Sequence, residues 1–463
     1  MIPTKKYNNS ISAIIIWIIL IAQLLTINGT QVYKVEKKLI FWDVLEYYSY
    51  LPATFIYGDL KLKFTEDPNV FWQNKFWPQT APNHNKVFKM TMGMSIMYSP
   101  FFFMAHGIAK LFHLQADGYS VPYVFALLFS SLFYLTLAFF VLRKILLRWF
   151  NDVVTALTIV CIGLGTNLFY YSTIEAAMSH AYNFSLFVFF IYFTISWYEK
   201  QLLRTTIFLG LTGGLIVLIR PTNIIIWIFF LLLYITKPSD LVIRTRLLLK
   251  QYLKLLLIAA CFALVLFPQL LYWKIVTGSW IYYSYNNEGF FFNHPRIIEG
   301  LFSYRKGWLL YTPIMTFAII GIPLLYFKLK ELFIPVLIFT LLNIFIIFSW
   351  WTWWYGGCFG QRAMIDSYAL LAFPLATFIS LFWKRRLYLK IISIFIVTLF
   401  VCHNLFQTSQ YYYGAIHFDS MTKKAYWSSF GHIKPHGYFY NYLESPDYEK
   451  ALKGIQAVKP KNK

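Results

Sequence analysis

Long apolar runs separated by short polar breaks dominate the chain, and most of the breaks are basic. A helix needs roughly 20 predominantly apolar residues to cross the hydrocarbon core of a bilayer. About eleven runs fit, centred on residues 12–28, 121–142, 153–171, 183–198, 205–219, 222–236, 254–273, 308–327, 332–350, 367–383 and 391–408. The fifth and sixth are short because Arg220 and Pro221 divide one apolar stretch into two halves. The pattern predicts an all-α polytopic membrane protein of about eleven transmembrane helices.

Orientation follows from the short basic breaks, because Lys and Arg resist translocation. Lys5 and Lys6, then Arg143, Lys144 and Arg148, Lys200 and Arg204, Arg244, Arg246 and Lys250, Lys328 and Lys330, and Lys384, Arg385 and Arg386 all fall on one side. That side is read as the cytoplasm, which leaves the amino terminus inside and the carboxyl terminus outside. A further apolar stretch from about Thr91 to Phe112 would invert every later loop if it crossed, so it reads as a re-entrant or interfacial helix. Residues 29–120 then form one large first extracytoplasmic loop, residues 1–408 a membrane module, and 409–463 a short outer tail. Residues 12–27 follow two lysines but precede no small-x-small cleavage site, and so read as a retained anchor rather than a signal peptide.

Composition supports the bilayer as solvent: 59% of the 463 residues are hydrophobic and only 13% charged. Ordinary soluble domains have about 45–50% apolar and ~25% charged residues. The formal net charge of +22 is spread over small clusters, without the continuous basic face that nucleic acid would need. No nucleic-acid partner is expected. The four cysteines offer neither a disulfide framework nor a CxxC metal pair. Gly-Lys never occurs and no Asp-x-Asp triplet is present, so soluble nucleotides or nucleotide sugars are not the expected substrates.

Candidate chemistry lies in the outer segments. In Phe41-Trp42-Asp43-Val44-Leu45-Glu46-Tyr47, a helix would place Asp43, Glu46 and Tyr47 on one face. A carboxylate shielded there by aromatics could act as a base toward a hydroxyl; the alternative is an interfacial pair that solvates the loop. Glu175 and His180, in the segment from Thr173 to Tyr182, could bind substrate hydroxyls or a metal; the alternative is a capped helix start with Ser179 as the N-cap. Lys89, Arg220, Arg305 with Lys306, and Arg362 are cations where short outer loops should avoid them. A phosphate at the interface accounts for them, since guanidinium binds phosphate oxygens bidentately; pairing with lipid headgroups, or with Asp366 and Glu299, is the alternative.

Taken in order, these pieces resemble bacterial members of the GT-C superfamily of integral membrane glycosyltransferases, the class that includes protein O-mannosyltransferases and the lipid A aminoarabinose transferase. The matching pieces are Asp43 and Tyr47-Tyr48 after the first span, Gly58-Asp59-Leu60, and Lys89-x-x-x-Gly93 leading to Pro100-Phe101-Phe102. They continue with Gly165-Thr166, Glu175 and Ser179-His180, Arg220-Pro221-Thr222-Asn223, Phe302-Ser303-x-Arg305, and Trp353-Trp354-x-Gly356-Gly357-x-Phe359-Gly360-x-Arg362. The resemblance implies an inverting transferase of the bacterial inner membrane that opens to the periplasmic side. Its donor would be a polyprenyl-phosphate sugar and its acceptor a glycan, lipid or protein hydroxyl. Asp43 would be the catalytic carboxylate with Glu46 beside it. Asp59, Lys89, Glu175, His180, Arg220, Arg305 and Arg362 would contact substrate, with Lys89, Arg305 and Arg362 on the leaving phosphate. A divalent cation (Mg or Mn) could be held by Asp43, Glu175 and His180. The chain departs from the group in spacing Asp43 and Glu46 three apart, where adjacent acids are usual, and in having Met90 and Thr91 after the lysine. A polysaccharide polymerase or ligase, and a lipid or sugar transporter, are the competing functions; a transporter should show two similar halves, and no internal repeat is visible.

Overall fold

The computed structural model describes residues 11–34, 39–66, 78–383 and 386–455. Apolar runs become helices throughout, and the only sheet among the described residues is the antiparallel pair Gln79–Thr80 with Lys86–Val87. Among the described residues, seven helices are long and apolar enough to cross a membrane: Ile11–Thr30, Val121–Leu146, Ser179–Lys200, Tyr252–Thr277, Lys330–Ser349, Arg362–Trp383 and Leu387–Tyr412. This is the build of a multi-pass helical membrane protein.

The other four expected segments contain apolar helices of 10–17 residues: Asp152–Gly163, Leu203–Ile219, Pro221–Leu232 and Met315–Lys328. Local chemistry explains the breaks. Pro221 lacks an N–H and disfavours helical backbone at Arg220, which is extended (φ −146°, ψ 103°). Pro313 likewise separates the short helix Trp308–Tyr311 from Met315–Lys328. The stretch 91–112 forms the helix Gly93–Leu111, with Pro100 inside it, and is not among the seven.

Several basic breaks meet on one face. Arg143 Nε donates to Ser12 Oγ at 2.8 Å and Arg148 pairs with Glu199. Trp149 Nε1 donates to Glu331 Oε1 at 3.2 Å, and the Tyr234 N–H to Glu331 O at 3.1 Å. Arg244 is buried with its guanidinium 3.8 Å from the centre of the Tyr198 ring. Lys5, Lys6, Lys384 and Arg385 lie outside the described residues.

Candidate functional site

Two short helices, Trp42–Tyr48 and Tyr50–Phe55, follow the first long helix, and the first of them carries both expected carboxylates. Asp43 and Glu46 diverge. Asp43 Oδ2 lies 3.1 Å from Arg362 Nη2. Glu46 instead turns inward, where its Oε2 accepts the backbone N–H groups of Lys89 (2.7 Å) and Met90 (3.2 Å). Burial pushes the Glu46 carboxyl up to about 7, against the lowering effect of those two N–H groups.

Arg362 is delivered by a tightly held loop. Tyr355, Gly356 and Gly360 have positive φ (57°, 65° and 58°), and a Cβ at Gly360 would sit 3.2 Å from that of Tyr311. The Phe359 N–H donates to the Tyr171 hydroxyl at 2.9 Å, Gln361 Nε2 donates to Trp353 O at 2.9 Å, and the Lys306 ammonium donates to Cys358 O. Lys306 is buried, with its charge 5.5 Å from the centre of the Tyr411 ring, and burial pushes its pKa down. Glu175 accepts the Tyr170 hydroxyl at 3.0 Å. Burial raises its pKa, opposed chiefly by the positive charge of Arg362.

A second ion pair stands nearby. Arg220 Nη1 lies 3.1 Å from Asp366 Oδ2, which also accepts Asn223 Nδ2 at 2.9 Å and Asn183 Nδ2 at 3.2 Å. His180 Nδ1 is 3.8 Å from Asp366 Oδ1 and 3.5 Å from Arg220 Nη2. Tyr47 feels both pairs: burial raises its phenol pKa, Asp43 adds to that, and Arg220 and Arg362 oppose it. Arg220 Nη1 also donates to Ala363 O at 3.4 Å, next in the chain to Arg362, so the two ion pairs adjoin, with His180 against Arg220 and Glu175 in the field of Arg362.

The remaining expected residues are engaged elsewhere. Lys89 pairs with Glu288, whose other oxygen accepts Trp351 Nε1 at 3.1 Å. Arg305 donates to Asp419 O (2.5 Å) and Glu444 O (3.0 Å) in the tail, with its guanidinium 5.8 Å from the centre of the Trp354 ring. A cleft beside it is lined by Trp351, Trp353 and Trp354, and neither Asp43 nor Arg362 reaches that cleft. Asp59 accepts the N–H groups of Lys61 and Phe64, both at 3.0 Å, and so closes its own turn. Ser179 is the first residue inside its helix, not the N-cap, which is Met178.

Among the described residues no three His, Cys, Asp or Glu side chains converge as a metal site. Asp43 faces an arginine, Glu175 a tyrosine hydroxyl and His180 the Asp366–Arg220 pair, so this donor set does not fit a resident Mg or Mn. Asp366 and Lys306 also belong to the site; the sequence names Lys306 among the outer cations and Asp366 as an alternative partner for an arginine, and assigns neither a place in the site. A lone acid at the head of an apolar run, as Asp366 is, was the available signal for the first.

No family model matches the chain, and no curated protein matches it. Among solved structures it is similar to the oligosaccharyltransferase of Archaeoglobus fulgidus in the apo form, with a TM-score of 0.47, 13% identity, and coverage of 86% of this chain and 54% of that one. For the complex of that enzyme with Zn and sulfate, the TM-score is 0.47 at 14% identity, covering 86% and 52%. For the archaeal oligosaccharyltransferase AglB from Archaeoglobus fulgidus, in complex with an inhibitory peptide and a dolichol-phosphate, it is 0.45 at 12% identity, covering 85% and 55%. The chain spans about half the length of these structures.

Proposed function

We propose that this protein is an inverting glycosyltransferase of the bacterial inner membrane, moving a sugar from a polyprenyl-phosphate donor to an acceptor hydroxyl at the extracytoplasmic face. The observation that carries the reading is the Asp43–Arg362 ion pair, set beside Glu175 and a second arginine, Arg220. An inverting transfer needs a carboxylate at the acceptor and cations at the leaving group, and this cluster holds both. The acceptor oxygen attacks the anomeric carbon as its proton passes to the Asp43 carboxylate. The carbon–oxygen bond to the phosphate breaks, and the lipid phosphate departs with the electron pair.

Arg362 fits both partners. With the site empty it neutralises Asp43; with donor bound, its fork can turn to the phosphate and leave Asp43 free to accept a proton. One well-placed cation at a departing oxyanion contributes about 3 kcal/mol to the transition state. Residues 1–408 form the catalytic module in this reading, and the tail from 409 packs on it through Arg305.

The test is direct assay. Purified protein in nanodiscs is incubated with a panel of polyprenyl-phosphate sugars and glycan, lipid and hydroxyl-peptide acceptors, and products are read by mass spectrometry. A sugar-modified acceptor with released polyprenyl phosphate is expected. Movement of intact donor across the bilayer without chemistry would make the protein a transporter, and acceptors extended by many units would make it a polymerase.

A further inference from the structure

Arg220 and Arg362 are held in different ways. The Asp43–Arg362 pair is half-open, with side chains 29% and 16% exposed. Asp366 is only 3% exposed, and a single one of its oxygens receives Arg220, Asn183 and Asn223. A buried carboxylate with that many donors cannot reorient without stranding its charge, which costs several kcal/mol. Arg220 is fastened at several points. Nη1 also donates to Ala363 O at 3.4 Å, Nη2 contacts His180, and Nε makes no hydrogen bond among the described residues. Its side chain nevertheless stays 21% exposed.

The backbone reinforces the arrangement. The break forced by Pro221 leaves Arg220 extended and starts the 3-10 turn Pro221–Ile226, in which the Asn223 N–H donates to Arg220 O at 2.9 Å. Arginine and asparagine are thereby placed to reach the same oxygen of Asp366. Asp366 itself lies in the turn Arg362–Ser367, one turn beyond the other arginine.

We propose that Asp366 is a positioning residue: it locks Arg220 as the fixed anion receptor of the site, while Arg362, held by the half-open Asp43, is the exchangeable one. The lock is a statement about this chain alone. That the anion is the donor's phosphate rests on the function proposed above.

Two measurements separate these parts. Phenylglyoxal modification of Arg220, followed by peptide mass spectrometry, reads the lock without any substrate. Asp366→Asn should raise the Arg220 rate by at least about tenfold while leaving Arg362 unchanged; general destabilisation would raise both together. Asn223→Ala, a milder loss, should move Arg220 the same way by less, and it decides the matter should Asp366→Asn not fold. An Arg220 rate unchanged in the folded variants, or one that rises only in step with Arg362, overturns the lock. The second measurement is the affinity of polyprenyl phosphate in phosphatidylcholine nanodiscs. Arg220→Ala and Asp366→Asn should each weaken it about 10- to 100-fold, and the double variant no further. Losses that multiply would show that Asp366 acts independently of Arg220 and overturn the proposal. No binding by the wild type would sink the donor reading, and the phenylglyoxal rates would still decide the lock.

Discussion

Asp43 and Glu46 lie one helical turn apart, yet their carboxylates serve different partners: Asp43 meets the Arg362 guanidinium, and Glu46 the backbone of Lys89 and Met90. The cause is the packing of the Trp42–Tyr48 helix, which buries Glu46 to 8% exposure and leaves Asp43 at the rim. A base must be reachable by the hydroxyl it serves, so geometry favours Asp43, although burial has pushed the Glu46 carboxyl up to about 7.

Asp43→Asn should therefore lower sugar transfer by at least about 10²-fold, since general base catalysis contributes roughly 10² to 10⁴. Thermal stability should stay close to wild type, and donor affinity should not fall, because Arg362 no longer has to leave the Asp43 carboxylate to reach the phosphate. A loss of less than about threefold, measured under donor saturation, sinks the acid–base role.

Glu46 gives a pH signature of its own. Its carboxyl is raised from 4.5 to about 7, chiefly by burial, so the folded protein holds this proton more tightly than the unfolded chain. That contribution is fully present below about pH 4.5 and is lost as pH rises to about 7, an effect of about 3 kcal/mol at most. Glu46→Gln has no proton to lose, so its thermal midpoint should fall less than that of wild type between pH 5 and pH 8. Parallel curves for the two proteins would show that Glu46 titrates normally.

Arg305 fastens the tail through two carbonyl oxygens. Arg305→Ala should speed hydrogen exchange across residues 413–455 while leaving the amides of 355–361 protected. A lysine there has one ammonium in place of a fork and should restore protection only in part. Unchanged exchange in the alanine variant would mean that the tail is held by other contacts.

Topology can be checked on exposed positions in a cysteine-free background. His294→Cys and Tyr440→Cys should react with a membrane-impermeant thiol reagent in intact cells, and Arg386→Cys only after permeabilisation. Labelling of all three without permeabilisation would refute the orientation drawn from the basic clusters.

The sequence carried the apolar segments and the break at Pro221 because both are local, whereas 308–327 reads as one span and is broken at Pro313. Apolar run length sets the segments, and Pro221 sets its break. The cluster Asp43, Glu175, His180, Arg220 and Arg362 was legible residue by residue, through charges standing where a membrane protein should avoid them. Pairing was not legible. Nothing along the chain tells whether Asp366 answers Arg220 or Arg362, because that choice depends on how the Ser179–Lys200, Leu203–Ile219 and Arg362–Trp383 helices pack. The attachments of Lys89 to Glu288 and of Arg305 to the tail were hidden for the same reason.

The segment that supplies Glu46 with its N–H donors is also fastened to the helix break. Beyond Lys89 and Met90, the Thr91 hydroxyl donates to Leu218 O and the Met92 N–H to Gln269 Oε1 at 2.8 Å. Gly93 lies so close to Ile219 that a Cβ would come within 2.6 Å of its side chain. Residues 89–93 and the backbone that carries Arg220 are thus joined at successive points, so the donors of Glu46 and the place of Arg220 are set by the same few residues.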